Sequence, residues 1–230
     1  MMKLYRFLFL MGTFFLLTAC AAPAQPLAPT ELPAAPAPLT PAPVPAETIP
    51  APTLPAAPAG DLFSGAGLTL EPPACDGTFT PPQTEGPYYI PNTPKRNSLL
   101  EAGIPGQRMI VVGYVLDSAC QPVPNAWLDF WQTDGEGVYD NTGFKLRGHQ
   151  YTDSQGRYFL ETVYPGEYPG RTPHIHVKVR LNDSAPILTS QLYFPNAPSN
   201  TRDRIFNPGG LVQLEERGET LIARYNFVVP

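Results

Sequence analysis

The sequence predicts an all-β domain, an antiparallel β-sandwich, behind a leader and a long tether. Three observations predict it: short apolar runs rich in β-branched and aromatic residues, turn-forming clusters between them, and no stretch with a sustained helical period. Met109–Leu116 is such a run, closed by Asp117 and Ser118. The next, Ala126–Gln132, follows a turn at Pro122-Val123-Pro124-Asn125. Tyr158–Val163 follows Asp153-Ser154-Gln155-Gly156, where Asp and Gly suit the turn for separate reasons. Ile175–Leu181 alternates apolar with His, Lys and Arg, the period of a half-buried strand. Gln191–Phe194 and Leu221–Val229 read as two more strands.

The chain divides into three parts, 1–20, 21–74 and 75–230. Lys3 and Arg6 precede an apolar run, Phe7–Leu17, too short for the ~20 residues of a spanning helix. It ends in Leu17-Thr18-Ala19-Cys20, which resembles the lipobox of bacterial lipoproteins. That resemblance implies a signal peptide, lipidation of Cys20, and a protein outside the cytoplasm held on a membrane by its acyl chains, an ordinary cleaved signal peptide with an incidental cysteine being the alternative. Residues 21–74 are dominated by Ala and Pro up to about Gly60, with too little apolar bulk to offset chain entropy; polyproline II is the expected state. In an oxidising compartment, Cys75 and Cys120 are expected to form a disulfide, two free buried thiols being the alternative. The net charge of −5 argues against a nucleic-acid partner.

The chemistry-bearing residues lie in the third part. His174 and His176 are two apart at the start of a predicted strand, so both imidazoles project from one face and can reach one ion. The pair alone leaves open a metal site and an ordinary pair of strand histidines. Its neighbours add weight: Arg171 just upstream, Tyr168 in the turn Tyr164–Pro169, and Tyr139 at the end of the Gly-rich loop after Trp131.

In order along the chain stand a strand with Trp131 and then Gly137-Val138-Tyr139; Arg147-Gly148-His149-Gln150-Tyr151-Thr152-Asp153 through Gly156 and Tyr158; Pro165-Gly166-Glu167-Tyr168; and Arg171-Thr172-Pro173-His174-Ile175-His176. This succession resembles the intradiol ring-cleavage dioxygenases, from about Thr84 to Phe194. The resemblance implies an intradiol dioxygenase-like sandwich with a non-haem Fe(III) cofactor. Its ligands would be Tyr139, Tyr168, His174 and His176, with Tyr168 the one that substrate displaces. Arg171 would lie beside the bound ring, Gln191 behind the ligands, and Gly86, Pro87 and Tyr88 at the substrate mouth. The implied reaction inserts both atoms of O2 into a catechol-type aromatic to give a muconate-type dicarboxylic acid. Phenolate oxygens suit this metal because hard anionic donors favour Fe(III), whereas two histidines and one carboxylate would suggest Fe(II).

His149 matches no ligand position and reads as structural. Lys145 and Arg147 are candidates for a substrate carboxylate, with surface solvation the simpler role. The rival reading is an iron-free, transthyretin-like binding module, because such sandwiches share the Thr152–Gly156 turn. They give no reason to keep Tyr168, Arg171, His174 and His176 together. The identity of the catechol and the oligomeric state are left open.

Overall fold

The computed structural model describes residues 62–230. The leader, Cys20 and the tether up to residue 61 lie outside the described residues. No helix among those described is long and apolar enough to cross a membrane.

Among the described residues nine strands form two sheets: β1 (Arg108–Leu116), β2 (Trp127–Gln132), β3 (Arg147–Tyr151), β4 (Arg157–Val163), β5 (His174–Arg180), β6 (Leu188–Tyr193), β7 (Gln213–Arg217), β8 (Thr220–Arg224) and β9 (Phe227–Val228). One sheet runs β4-β1-β8-β7, with β9 also on β1; the other runs β3-β2-β5-β6. Pairing is mostly antiparallel, but β8 and β9 both lie parallel to β1, a departure from the purely antiparallel sheet expected. The stretch Leu221–Val229 is two strands on one register along β1, interrupted at Tyr225 and Asn226. There Asn226 Oδ1 accepts from Tyr114 N at 3.1 Å, in place of a strand carbonyl. Gly113 makes room for this interruption, since a Cβ on it would sit 1.8 Å from the Tyr225 carbonyl oxygen.

Between the sheets, Val111, Leu128, Phe130, Leu160, Ile175, Val177, Val179, Leu192 and Ala223 are fully buried. Alternation along β5 therefore sends Ile175, Val177 and Val179 into this core and His174, His176, Lys178 and Arg180 to the other face. Every residue fixed in the core fixes its neighbour on the outside.

The packed region begins before Cys75. A four-residue helix, Leu62–Gly65, places Phe63 against Phe159, and Leu68 joins it over Ile110, Val112 and Ile222 on the outer face of the five-stranded sheet. The predicted tether boundary at 74 thus falls too late: two large apolar side chains suffice to recruit the segment onto an apolar sheet face. Cys75 and Cys120 are joined by a disulfide, with Cα atoms 5.8 Å apart, tying that segment to the turn after β1.

Candidate active site

The outer face of β5 meets two loops. The first, after β2, is shaped by Asp134, whose Oδ1 accepts from Glu136 N at 2.9 Å and Val138 N at 3.0 Å. The second, after β4, is fastened to it by Gly166 N donating to the Asp134 carbonyl at 2.7 Å and Thr133 Oγ1 donating to the Gly166 carbonyl at 3.1 Å. Gly137 allows this approach: its φ is +84°, and a Cβ there would lie 1.9 Å from the Glu167 carbonyl oxygen. Docking of the two loops brings together Tyr139 and Tyr168, whose ring centroids are 5.6 Å apart.

Beside them, His174 and His176 present their Nε2 atoms to each other at 3.0 Å. His174 Nδ1 lies 2.7 Å from the Thr172 carbonyl, which assigns its proton there and leaves Nε2 with a lone pair facing the cluster. Trp131 stacks on the His176 ring at 4.7 Å and 9°, and Tyr168 lies 5.7 Å from His174. Burial, reinforced by Arg171, lowers the His174 pKa to about 4, and burial with His174 and Arg171 nearby holds His176 well below the usual range. Both are neutral imidazoles near neutral pH.

The Tyr139 hydroxyl and His176 Nδ1 are buried without a hydrogen-bond partner. Burial, and then Tyr168, push the Tyr139 pKa upward, against a weaker pull from Arg171 and Arg147. An orphaned buried phenol beside two buried, neutral imidazoles costs free energy that a bound cation would offset, by turning the phenol into a ligand. Among the described residues no three His, Cys, Asp or Glu side chains converge on a point, so an ion here would need the tyrosines as donors. The residues present fit such a metal.

Arg171 binds this cluster to the rest of the fold. Its Nη1 donates to Tyr168 Oη at 3.1 Å, Nη2 donates to Gln191 Oε1, and Nε pairs with Asp203 at 2.9 Å. Gln191 in turn donates through Nε2 to the Thr84 carbonyl at 2.9 Å, and its Oε1 accepts from Tyr193 Oη at 2.8 Å. Gln191 thereby anchors the segment that carries the mouth. In that segment Tyr88 stacks on Tyr139, 4.4 Å and 23°, and Gly86 lies against His176, where a Cβ would come within 3.5 Å of Cε1. Pro87 is exposed at the rim.

A model of the dioxygenase family matches residues 84–228. The chain belongs to the intradiol ring-cleaving dioxygenases. The dioxygenase domain of a dioxygenase carbohydrate-binding protein fusion from Streptomyces sp. SirexAA-E is 47% identical, with a TM-score of 0.64, covering 66% of this chain and 98% of that one. The protocatechuate 3,4-dioxygenase alpha chain of Burkholderia cepacia is 33% identical over 168 residues, covering 63% of this chain and 83% of its own. The beta chain from the same organism is 34% identical over 118 residues, 44% of this chain and 50% of that one, so the match spans half of the relative's length.

In this dioxygenase, three charged residues matter at the site that the sequence did not single out in these roles. Arg147 is fully buried, which corrects its assignment to the surface; Lys145 is exposed. Arg147 donates to the Tyr88 carbonyl at 2.6 Å and the Asp140 carbonyl at 2.7 Å, so one guanidinium fastens the mouth segment to the residue after Tyr139. Position gave a clue: Arg147 shares a face with His149 in β3. Asp129 is buried, raised by that burial and pulled back by hydrogen bonds from Thr93 and Tyr89, at 2.7 and 3.0 Å. His149 contacts the Thr93 carbonyl through Nδ1 at 2.7 Å, apart from the tyrosines and the other histidines. Asp203 lies in a loop after β6, where no motif marked it.

Proposed function

We propose that this dioxygenase binds non-haem Fe(III) through Tyr139, Tyr168, His174 and His176 and opens catechol-type aromatics between their two hydroxylated carbons. The observation that carries the reading is a buried phenol without a hydrogen-bond partner, in one cluster with two neutral imidazoles whose Nε2 atoms face each other. Two phenolates and no carboxylate make a donor set for a ferric ion. When bound, the ion supplies Lewis acidity that holds the catechol as its dianion and makes the ring reactive toward O2.

The chain's own residues orient and exclude. The Thr172 carbonyl fixes the His174 tautomer, and Trp131 packs His176 flat. Tyr168 Oη, held by the Arg171 guanidinium, would be placed to take a proton from a catechol hydroxyl. Arg171, kept in place by Asp203 and Gln191, then offsets negative charge developing on the ring. Tyr88 and Gly86 form the wall past which a flat ring enters, the glycine leaving space against His176. Arg147 is spent on backbone carbonyls and is not available to a ring carboxylate.

The lipobox-like sequence at Cys20 supports placing this activity outside the cytoplasm, on a membrane, where phenolic compounds are met before uptake. The test of the chemistry is a visible absorption spectrum of the iron-loaded protein, before and after anaerobic catechol. A broad tyrosinate charge-transfer band that shifts with catechol is the expected result. A protein that takes up iron without colour would refute the ligand set, and one that shows the band but opens no catechol would refute the reaction.

A further inference from the structure

At the other end of the same sheet face lies a second concave site. Trp127, opposite Tyr151 on β3 and Arg180 on β5, stands four residues from Trp131 along β2, about 13 Å at strand spacing. These three side chains and Lys95 line a cleft of about 520 Å³, in the range of small-molecule sites and far larger than a simple anion needs. Between this cleft and the tyrosine–histidine cluster the face is closed. Asp129 holds Tyr89 and Thr93 over it, and Lys178 sits 3.6 Å from the Tyr89 ring centroid. The two sites are separate.

The cleft has a charge preference. Lys95 lies 5.1 Å from the Tyr151 ring centroid and has no carboxylate partner among the described residues. Arg180 lies 5.6 Å from the Trp127 ring centroid, and one of its terminal nitrogens meets Asp183, a fully exposed carboxylate, at 2.8 Å. Its Nε is buried with no hydrogen-bond partner. Two cations against one solvated carboxylate leave a net positive cleft with donors to spare. The ring faces of Trp127 and Tyr151 are already engaged by these cations, which disfavours a sugar stacked flat on them. Pro124 and Leu181 add apolar wall, suited to a small ring.

The geometry points to a second, non-catalytic site for a monocyclic aromatic carboxylate, with its carboxylate between Lys95 and Arg180 and its ring against Leu181 and Pro124. The proposal does not depend on the chemistry at the tyrosines.

Calorimetric titration of the full chain at low salt with benzoate, benzamide, cis,cis-muconate and inorganic phosphate tests it. Benzoate is expected to bind about tenfold or more tightly than the uncharged benzamide, in keeping with a charge-assisted hydrogen bond. Lys95→Ala, at an exposed residue, should weaken benzoate about five- to tenfold with Tm unchanged. Asp183→Asn should tighten it by about two- to threefold, by removing a competing carboxylate. Equal binding of benzoate and benzamide, or indifference to both substitutions, overturns the site. Muconate or phosphate binding as tightly as benzoate overturns its aromatic character. Benzoate binding lost in Tyr139→Phe but kept in Lys95→Ala would place the ligand at the other cluster and overturn the proposal as well.

Discussion

Replacing Asp203 by Asn tests whether the Arg171 network holds the site together. One carboxylate oxygen accepts from Arg171 Nε at 2.9 Å and Thr172 N at 3.1 Å, the other from Ile205 N at 3.0 Å. An amide keeps the shape but loses the charge, and it turns an NH2 toward at least one of those donors. The Asp203 side chain is 1% exposed and that of Arg171 12%, so the guanidinium is left largely buried and unpaired. Breaking a buried pair from one side costs about 3–5 kcal/mol; Arg171 keeps Tyr168 and Gln191, which argues for about 3. For a domain of this size that is a loss of about 6–12 °C in Tm. Burial raises the Asp203 pKa, but hydrogen bonds from Ile205 N, Arg171 and Thr172 N outweigh it, and the net value lies below the usual carboxylate range. A depressed carboxylate contributes stability that is present above about pH 3.9 and is lost as pH falls through its folded pKa. Thermal unfolding of both proteins at pH 7 and below pH 4 should therefore show a gap that narrows in acid. A gap under about 1 kcal/mol at pH 7, or one that stays constant with pH, would refute this account of Arg171.

Tyr139→Phe should abolish the tyrosinate band attributed to that ligand. In the metal-free protein it should be neutral, or stabilising by up to about 1 kcal/mol in urea denaturation, because it deletes an orphaned hydroxyl. Gly137→Ala should destabilise by about 2 kcal/mol or more and lower iron retention, since the new Cβ meets the Glu167 carbonyl and the residue is held at positive φ; unchanged Tm would show that the two loops do not need this contact. The metal-free protein should lose stability between about pH 6.5 and pH 4. With the His174 pKa down at about 4, the unfolded chain binds the extra proton in that window, an effect on the order of 3 kcal/mol for this residue alone. A flat stability–pH curve there would contradict the burial of the pair.

How much of this was legible depended on how local the determining contacts are. The β5 alternation is a property of seven consecutive residues, so the sandwich face carrying His174 and His176 could be read directly. The Gly137 and Gly166 loops were visible as composition, but their mutual docking is a contact between segments about thirty residues apart and left no local pattern. Strands β3 and β7 escaped notice because Arg147–Tyr151 and Gln213–Arg217 are polar; their neighbours in the sheets, and not their own hydrophobicity, make them strands. Arg147 looked like a surface residue for the same reason. A charge becomes buried when the chain offers it carbonyl oxygens, and those of Tyr88 and Asp140 arrive from distant segments.

The same logic explains how the site is held together although most of its residues sit on loops. Each loop residue is referred back to a strand or to the neighbouring loop. Tyr168 is tied through Arg171 to Gln191 of β6, Tyr139 through Asp134 to the loop that follows β4, and the Tyr88 segment through Arg147 to β3. The strands are held in register by a core whose members alternate with the site residues: Ile175 and Val177 flank His176, and Leu192 lies between Gln191 and Tyr193. A volume change in that core would be transmitted one residue away, to an imidazole or to the glutamine that anchors the mouth. Positioning and stability therefore share the same side chains, and the loops contribute donors whose placement is decided in the sheets.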